Sequence, residues 1–194
     1  MPRKAVLSGI GCLAGAALLA GGAAGRSAAH SPALQDATTP DFLQQALTAA
    51  NQDRAKHGVP PLTLDPELTR YAQGRALTVS QSPELSHRGL RADLGEDLYL
   101  GEADTDDISS AQEAVDDWYA EIRDYHFDRP EPVPDSTLHF TQLVWRESRR
   151  LGAARVHGRR PGSRWYDTYI VFDFFPAGNV DGRFRDEVPP PRGH

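Results

Sequence analysis

The chain has 194 residues, of which 39% are hydrophobic and 25% are charged, and its formal net charge is −6. This composition is typical of a soluble globular protein, and the length suits one domain with a single core. Acidic residues outnumber Lys and Arg by 27 to 21, which argues against nucleic acid as a partner because phosphate binding requires clustered basic side chains.

Residues 1–29 have the features of a secretory signal peptide. Arg3 and Lys4 precede an uncharged run rich in Ala, Gly and Leu, and a stretch of small residues ends at Ala29. The alternative is a retained membrane anchor, since the run is about long enough to span a bilayer. We predict cleavage and a secreted, extracellular protein, with membrane contact only if the segment is retained. Cleavage would also remove Cys12, the single cysteine, so the mature chain has no disulfide.

Two helices are predicted next in the chain, after a flexible leader at residues 30–40. The first runs from Asp41 to Gly58, where apolar residues recur at helical spacing and the glycine marks a C-cap. The second follows Asp65 as its N-cap and has Pro66 in its first position. Residues 82–107 show no sustained period and are predicted to be a loop with short turns.

The second half of the chain combines one more helix with a hairpin. A third helix is predicted over residues 109–125, followed by a proline-rich loop at residues 126–137. Residues 150–158 and 165–175 read as two strands joined by the turn-rich residues 159–163, and if they pair they form an antiparallel hairpin. Helices first and a hairpin last predict an α+β fold, with helices packed on a small antiparallel sheet.

Four residues stand out as candidates for chemistry. Glu121 lies at the edge of the apolar face that Trp118 helps to form on the third helix, where a carboxylate is costly unless it meets a cation, a metal or several donors. Taken singly, Glu121, Glu96, His87 and His139 are each better explained as ordinary surface or core residues. Together, two imidazoles and two carboxylates suit zinc. No HExxH spacing supports a metal site, and no GxSxG motif or mature cysteine supports a nucleophile.

Five collinear motifs resemble the CAP superfamily of cysteine-rich secretory, antigen and pathogenesis-related proteins. The motifs are "NQDRAKHGVPPLTLDPEL", "GEDLYLG", "AVDDWYAEIRDYHF", "HFTQLVWRES" and "YIVFDFFPAGNV". They place a CAP (SCP) domain at residues 41–190, with a short tail at 191–194. The missing cysteines and the closing "PAGNVDGRFRDEVPPP" are most similar to the Golgi-associated pathogenesis-related-like branch.

The resemblance implies an α-β-α sandwich with a central cleft. In the family, two histidines and two glutamates converge there, and the matching residues here are His87, Glu96, Glu121 and His139. The resemblance further implies a weakly held zinc ion on His87 and His139. Glu96 and Glu121 would then be nearby acid-base or water-holding groups.

The chain also departs from the family pattern at four positions. Ala50 replaces a histidine, Leu138 a glycine, Asp97 an asparagine and Phe172 a cysteine. Leu138 and Asp97 touch the rim of the implied cleft, whereas Ala50 and Phe172 affect details of the scaffold.

Three functions remain open from the sequence, since a fold alone does not decide one. The favoured function is a secreted module that binds a lipid, a sterol or another small apolar ligand, or a cell-surface partner, with zinc as an accessory ion. The second is a zinc-dependent hydrolase, a peptidase or esterase, with Glu96 or Glu121 as general base. The third is a structural cell-surface protein. Only the second is an enzyme, and the sequence leans away from it.

Overall fold

The computed structural model describes residues 3–6, 34–82, 84–159 and 163–193. Its two longest helices are α1, Pro40–Lys56, and α2, Pro66–Ser80. The Asp65 carboxylate accepts hydrogen bonds from two backbone N–H groups of the first turn of α2, which confirms its predicted role as N-cap. Helix α1 ends just before Gly58, which has a left-handed φ of +63° and lets the chain turn toward α2.

Within the described residues, six strands form one sheet in the order β1–β4–β6–β5–β2, and β3 lies beside β5. The strands are β1 Arg3–Val6, β2 Gln35–Asp36, β3 Thr63–Leu64, β4 Gly95–Ala103, β5 Arg150–Arg159 and β6 Tyr166–Phe175. All neighbouring pairs are antiparallel except β3 with β5. Strands β5 and β6 form the predicted hairpin, with Arg150 opposite Phe175 and Arg159 opposite Tyr166 at its two ends.

Strand β4 corrects the prediction of a loop over residues 82–107. It spans nine residues and pairs with β6 along its whole length. Both of its faces are covered, so even Glu96 and Asp97 are buried, at 6% and 2% exposure. A strand buried on both faces lacks the alternation of polar and apolar residues that sequence analysis relies on, and the acidic pair made the segment look like a loop.

The third helix is shorter than predicted. Helix α3, Ala111–Ala120, begins at a capping box formed by Ser110 and Glu113, and the chain then continues as a single 3₁₀ turn, Glu121–Asp124. Glu121 is therefore the first residue of the tighter 3₁₀ turn that follows α3.

Three short helical segments complete the regular structure of the described chain. They are a 3₁₀ turn at Asp135–Thr137, α4 at Leu138–Leu143, and α5 at Phe184–Glu187 in the predicted irregular tail.

Helices cover both faces of the sheet, as expected for the α-β-α sandwich. On one face, α2 packs Ala72 and Ala76 against Leu98 and Val171. On the other, α1, α3 and α4 enclose a larger core that includes Trp118, Phe140 and Phe172. Two of the family departures, Ala50 and Phe172, are fully buried in that larger core, so they are packing positions of the scaffold.

The predicted signal peptide at residues 1–29 lies almost entirely outside the described residues, as does Cys12. Within it, the backbone of Arg3–Val6 forms β1. Part of the predicted leader is ordered, since Gln35–Asp36 pair with β5 and Leu34 is buried against the α2 side of the sheet. No helix within the described residues is long and apolar enough to cross a membrane.

Candidate functional site

His87 and Glu96 form the first of two histidine–glutamate pairs. His87 lies in the loop before β4, and its Nδ1 is 2.9 Å from Glu96 Oε1. The same carboxylate receives a bidentate contact from Arg75 of α2, with Nε 2.7 Å from Oε2 and Nη2 2.8 Å from Oε1. Arg75 also donates to the backbone carbonyls of Ser86 and Arg88, which holds the loop that carries His87 against α2.

The charge of Glu96 is stabilised by these donors. Burial by itself raises the pKa of Glu96, but the hydrogen bonds from Arg75 and His87, together with the positive charge of Arg75, outweigh it and leave the pKa below its usual range. The Glu96 side chain is 0% exposed and each of its oxygens is hydrogen-bonded to the guanidinium of Arg75. Glu96 is therefore an ionised structural anchor for Arg75 and His87.

Glu121 and His139 form the second pair. Glu121 directly follows α3, and His139 lies in the first turn of α4. His139 Nδ1 is 2.7 Å from Glu121 Oε1. Glu121 Oε2 accepts hydrogen bonds from the backbone N–H groups of His139 and Phe140, at 3.0 and 3.1 Å. These N–H groups belong to the first turn of α4, where they have no partner within the helix. Because Thr137 makes no side-chain cap, Glu121 caps α4 from another element.

Packing fixes the orientation of the second pair. The His139 ring is 2% exposed and stacks on Trp118, with centroids 6.1 Å apart and an interplanar angle of 19°. One turn further along α4, Gln142 accepts from the Gly178 N–H at 2.8 Å and donates to Ser148 at 3.2 Å. A Cβ at Gly95 would lie 1.9 Å from Gln142 Oε1, so glycine at this position leaves room for the amide.

The two pairs lie on either side of β4 near its start, where no further strand of the described chain pairs with its outer edge. Because side chains alternate along a strand, Glu96 lies with Leu98 on the α2 side, whereas Asp97 lies with Tyr99 on the side of α1, α3 and α4. In residues 34–82, 84–159 and 163–193, no three His, Cys, Asp or Glu side chains are grouped closely enough to hold one metal ion. All four predicted site residues are thus found in two hydrogen-bonded pairs, each with one imidazole.

Two buried aspartates adjoin the pairs and were not anticipated as ionisable partners. Asp173 is opposite Glu96 in the β4–β6 register, and Asp97 follows Glu96 in the chain. Burial raises the pKa of both carboxyls well above their usual range. Glu121, Glu96 and Asp173 raise the pKa of Asp97 further through their negative charge, and Glu96 does so for Asp173.

Arg75 is the site residue that sequence reasoning missed, although the sequence holds a signal for it. The buried face of α2 is formed by residues spaced three or four apart, including Leu68, Ala72, Ala76 and Val79. Arg75 falls three residues after Ala72, on the same face, where a charged side chain requires a buried partner.

A cavity of about 450 Å³ adjoins the N-terminal end of α4. Pro132, Val133, Leu138 and Phe184 give it an apolar side, and polar and acidic side chains complete the wall. The proline-rich loop thus lines the same cavity as Leu138, the residue next to His139.

Comparison with known protein families is decisive for the identity of this fold. A sequence model of the CAP family, described as the cysteine-rich secretory protein family, matches residues 47–174, well over half of the chain. The chain belongs to the CAP family. Every element that contributes to the two pairs, from α2 to α4, lies inside the matched region.

Individual CAP relatives support the same assignment. The chain is 34% identical over 155 residues to human Golgi-associated plant pathogenesis-related protein 1, covering 78% of this chain and 94% of the relative. It is 38% identical over 141 residues to the protein named Secreted protein RBT4 of Candida albicans, covering 73% of this chain and only 36% of the relative. The solved structure described as NaASP2 with Zn²⁺ is similar in fold, with a TM-score of 0.60 at 17% identity over 87% of this chain and 91% of that one.

Proposed function

We propose that this chain is a secreted CAP-domain binding protein, with His87 and His139 as ligands of a weakly held zinc ion. Its cargo would be a small apolar or lipid-like molecule, or a cell-surface partner. The observation that carries the proposal is that both glutamates are fully engaged as hydrogen-bond acceptors, Glu96 by Arg75 and His87, and Glu121 by His139 and the backbone of α4. A carboxylate held in this way orients its neighbours and is a poor general base, so binding is favoured over hydrolysis.

Export is proposed for two reasons. The first 29 residues have the signal-peptide pattern, and a relative covering most of this domain is named a secreted protein. The human relative, named as Golgi-associated, is a counterexample within the family, so the location of this chain requires direct measurement.

Zinc is proposed from the chemistry of the two imidazoles. Metal-binding histidines usually have one ring nitrogen held by a carboxylate, which fixes the tautomer and orients the other nitrogen toward the ion. Both His87 and His139 have a glutamate at Nδ1, and the solved CAP structure described with Zn²⁺ indicates that the fold admits this ion. Since the described residues form no group of three such side chains, they do not supply the three protein ligands of a catalytic zinc site, and the ion would be weakly held.

A calorimetric zinc titration of the metal-free protein tests this proposal. We expect saturable binding of one ion, weakened about tenfold or more in either His87→Ala or His139→Ala, because each change removes one of two ligands. His126→Ala, which alters an exposed histidine outside both pairs, is the matched control and should bind like the unmodified protein. Binding should also weaken at acidic pH, where protons compete for the imidazoles.

Two results would contradict the proposal. The first is equal zinc binding by both histidine variants and the control, which would show that His87 and His139 are not the zinc ligands. The second result is turnover of peptide or ester substrates that is lost in Glu121→Gln while zinc binding and folding are retained. It would show that the chain is a hydrolase and not a binding protein.

The cavity beside α4 is the proposed site for an apolar ligand. Its volume of about 450 Å³ lies within the range of small-molecule pockets. Leu138, where other family members have glycine, places an apolar side chain in its wall next to the Glu121–His139 pair. The exposed residues of the proline-rich loop that line this cavity, Glu131, Pro132 and Asp135, can vary without disturbing the core, and so can adapt the cavity to its ligand.

We expect Leu138→Gln to weaken binding of a fluorescent fatty acid or sterol by about tenfold, since it places a polar group in the apolar wall. Leu47→Gln, at a half-buried leucine of α1 that does not line the cavity, is the control for stability and nonspecific binding. Titration of both variants by fluorescence measures the difference. Equal affinities would place the ligand elsewhere.

A further inference from the structure

Two different elements contact the outer edge of β4, one near its start and one near its end. β6 pairs with the inner edge from Gly95 to Ala103. Early in the strand, the Leu98 carbonyl accepts the Trp118 indole N–H at 3.3 Å, so α3 engages the backbone there. From Tyr99 to Glu102, the outer edge is paired only with β1 among the described residues. Such an edge presents backbone N–H and C=O groups that any suitably extended chain can satisfy.

Strand β1 lies within the segment predicted to be removed on export. Its register places Arg3 opposite Glu102 and Val6 opposite Tyr99, in an antiparallel pairing. Cleavage after residue 29 would leave the Tyr99–Glu102 edge without its strand. The precursor thus illustrates the kind of segment that fits this edge: a short extended stretch with basic residues at one end and small apolar residues at the other.

Charge and shape around this edge are complementary to such a segment. A cavity of about 300 Å³ adjoins the strand, and no basic side chain is among the described residues that line it. Four of its lining residues are acidic: Glu102, Asp104, Asp107 and Glu113. Ile108, on the same wall, is 39% exposed, so its aliphatic side chain is accessible there. Carboxylates in a concave surface attract cations, and the isoleucine offers an apolar contact in the same wall.

We propose that the Tyr99–Glu102 edge of β4, opened by removal of residues 1–29, binds an extended basic segment of a partner protein as an added antiparallel strand. Backbone hydrogen bonds to β4 supply affinity, as in other cases of strand addition. The carboxylates around Glu102 select Lys or Arg at one end of the segment, and Ile108 contacts an apolar residue near them. This site is separate from the two histidine–glutamate pairs, so its test is independent of zinc and of the apolar ligand.

The test uses the chain purified after export and a fluorescent peptide of residues 2–8, PRKAVLS, with blocked ends. We expect saturable binding by fluorescence anisotropy, weakened at least about tenfold by 0.5 M salt, because surface charges are screened at high ionic strength. A charge-reversed peptide, PEEAVLS, and a peptide with proline inside the strand, PRPAVLS, should each bind at least about tenfold more weakly. The uncleaved chain should also bind weakly, because β1 already covers the edge.

Matched variants locate the site. Glu102→Lys should reduce peptide affinity at least about tenfold, whereas Glu67→Lys, the same change at a residue of α2 whose side chain is 89% exposed, should not. Circular dichroism confirms that both variants are folded. Hydrogen exchange should slow at Tyr99–Ala103 when peptide is added, a change that purely electrostatic attraction would not produce.

Several outcomes would overturn the proposal. These are equal affinity for all three peptides, equal affinity of the two lysine variants, or export that leaves residues 1–29 attached. Self-association of the exported chain that slows exchange at Tyr99–Ala103 and is not reversed by the peptide would assign the edge to a second copy of this chain.

Discussion

Replacing Arg54 with methionine is expected to lower the free energy of unfolding by about 3–5 kcal/mol. Arg54 lies on α1, and its side chain is fully buried. Its five N–H groups all donate to backbone carbonyls: two bonds go to Pro60, at 2.9 and 2.7 Å, and one each to Leu143, Trp145 and Ser148, at 2.9 Å. The fork of the guanidinium thus ties the connector after α1 to the end of α4 and the turn beyond it.

The large effect follows from what the substitution leaves behind. Burial lowers the pKa of Arg54 to about 9, so the group is still charged at neutral pH. Because every donor is used by a carbonyl, no N–H remains for a carboxylate, and the charge is stabilised by backbone dipoles alone. Methionine has a similar length but no donor. It would leave the carbonyls of Pro60, Leu143 and Ser148 without their hydrogen bonds in a dry interior, and the Trp145 carbonyl with only the Ser148 N–H.

Chemical denaturation at pH 7 measures the change. Arg146→Met, at an exposed arginine of the turn after α4, is the matched control and should alter stability by no more than about 0.5 kcal/mol. Arg54→Lys should fall between the two, since lysine keeps the charge but has three donors in place of five. A loss below about 1 kcal/mol in Arg54→Met would show that water can replace the guanidinium, and would refute the argument.

Asp97→Asn is expected to stabilise the protein at pH 7 by about 1–3 kcal/mol and to restore the residue usual in the CAP family. Asp97 is 2% exposed, and its Oδ2 has no hydrogen-bond partner among the described residues. Burial is the main cause of its raised pKa, and three neighbouring carboxylates, of Glu121, Glu96 and Asp173, add to it. Asparagine fills the same space without a charge.

The sign of the pH dependence follows from the direction of the shift. The pKa of Asp97 in the folded protein lies well above the 3.8 of the unfolded chain. Its contribution to stability is therefore fully present below about pH 3.8 and is lost as pH rises through the folded-state pKa. The pKa of Asp173 is raised in the same direction, by burial and by Glu96, so Asp173 also contributes a loss of stability as pH rises.

Urea denaturation between pH 4 and pH 8 separates these contributions. The advantage of Asp97→Asn over the unmodified protein should grow with pH, and Asp173→Asn should behave in the same way. Asp124→Asn, at an exposed aspartate of the turn after α3, is the control and should run parallel to the unmodified protein. An advantage of Asp97→Asn that is constant across this range would mean that ionisation of Asp97 is not the cause.

Several features of this protein can be derived from its sequence alone. Helix α2 is marked by Asp65 and Pro66, the β5–β6 hairpin by two strand-like runs around a turn, and the family by five motifs in order. Helical spacing also places Glu121 at the edge of the apolar helix face that contains Trp118. These signals are local, since caps, periodicity and motifs depend on residues close together in the chain.

The tertiary structure alone decided which partners these residues meet. Strand β4 is hidden in the sequence because both of its faces are buried, and Arg75 meets Glu96 only because α2 packs over that strand. Glu121 caps α4 across a proline-rich loop, and Asp97 and Asp173 become buried acids only when β4 and β6 pair. The physical reason is that desolvation and charge depend on what surrounds a side chain in space, and residues distant in the sequence supply those surroundings.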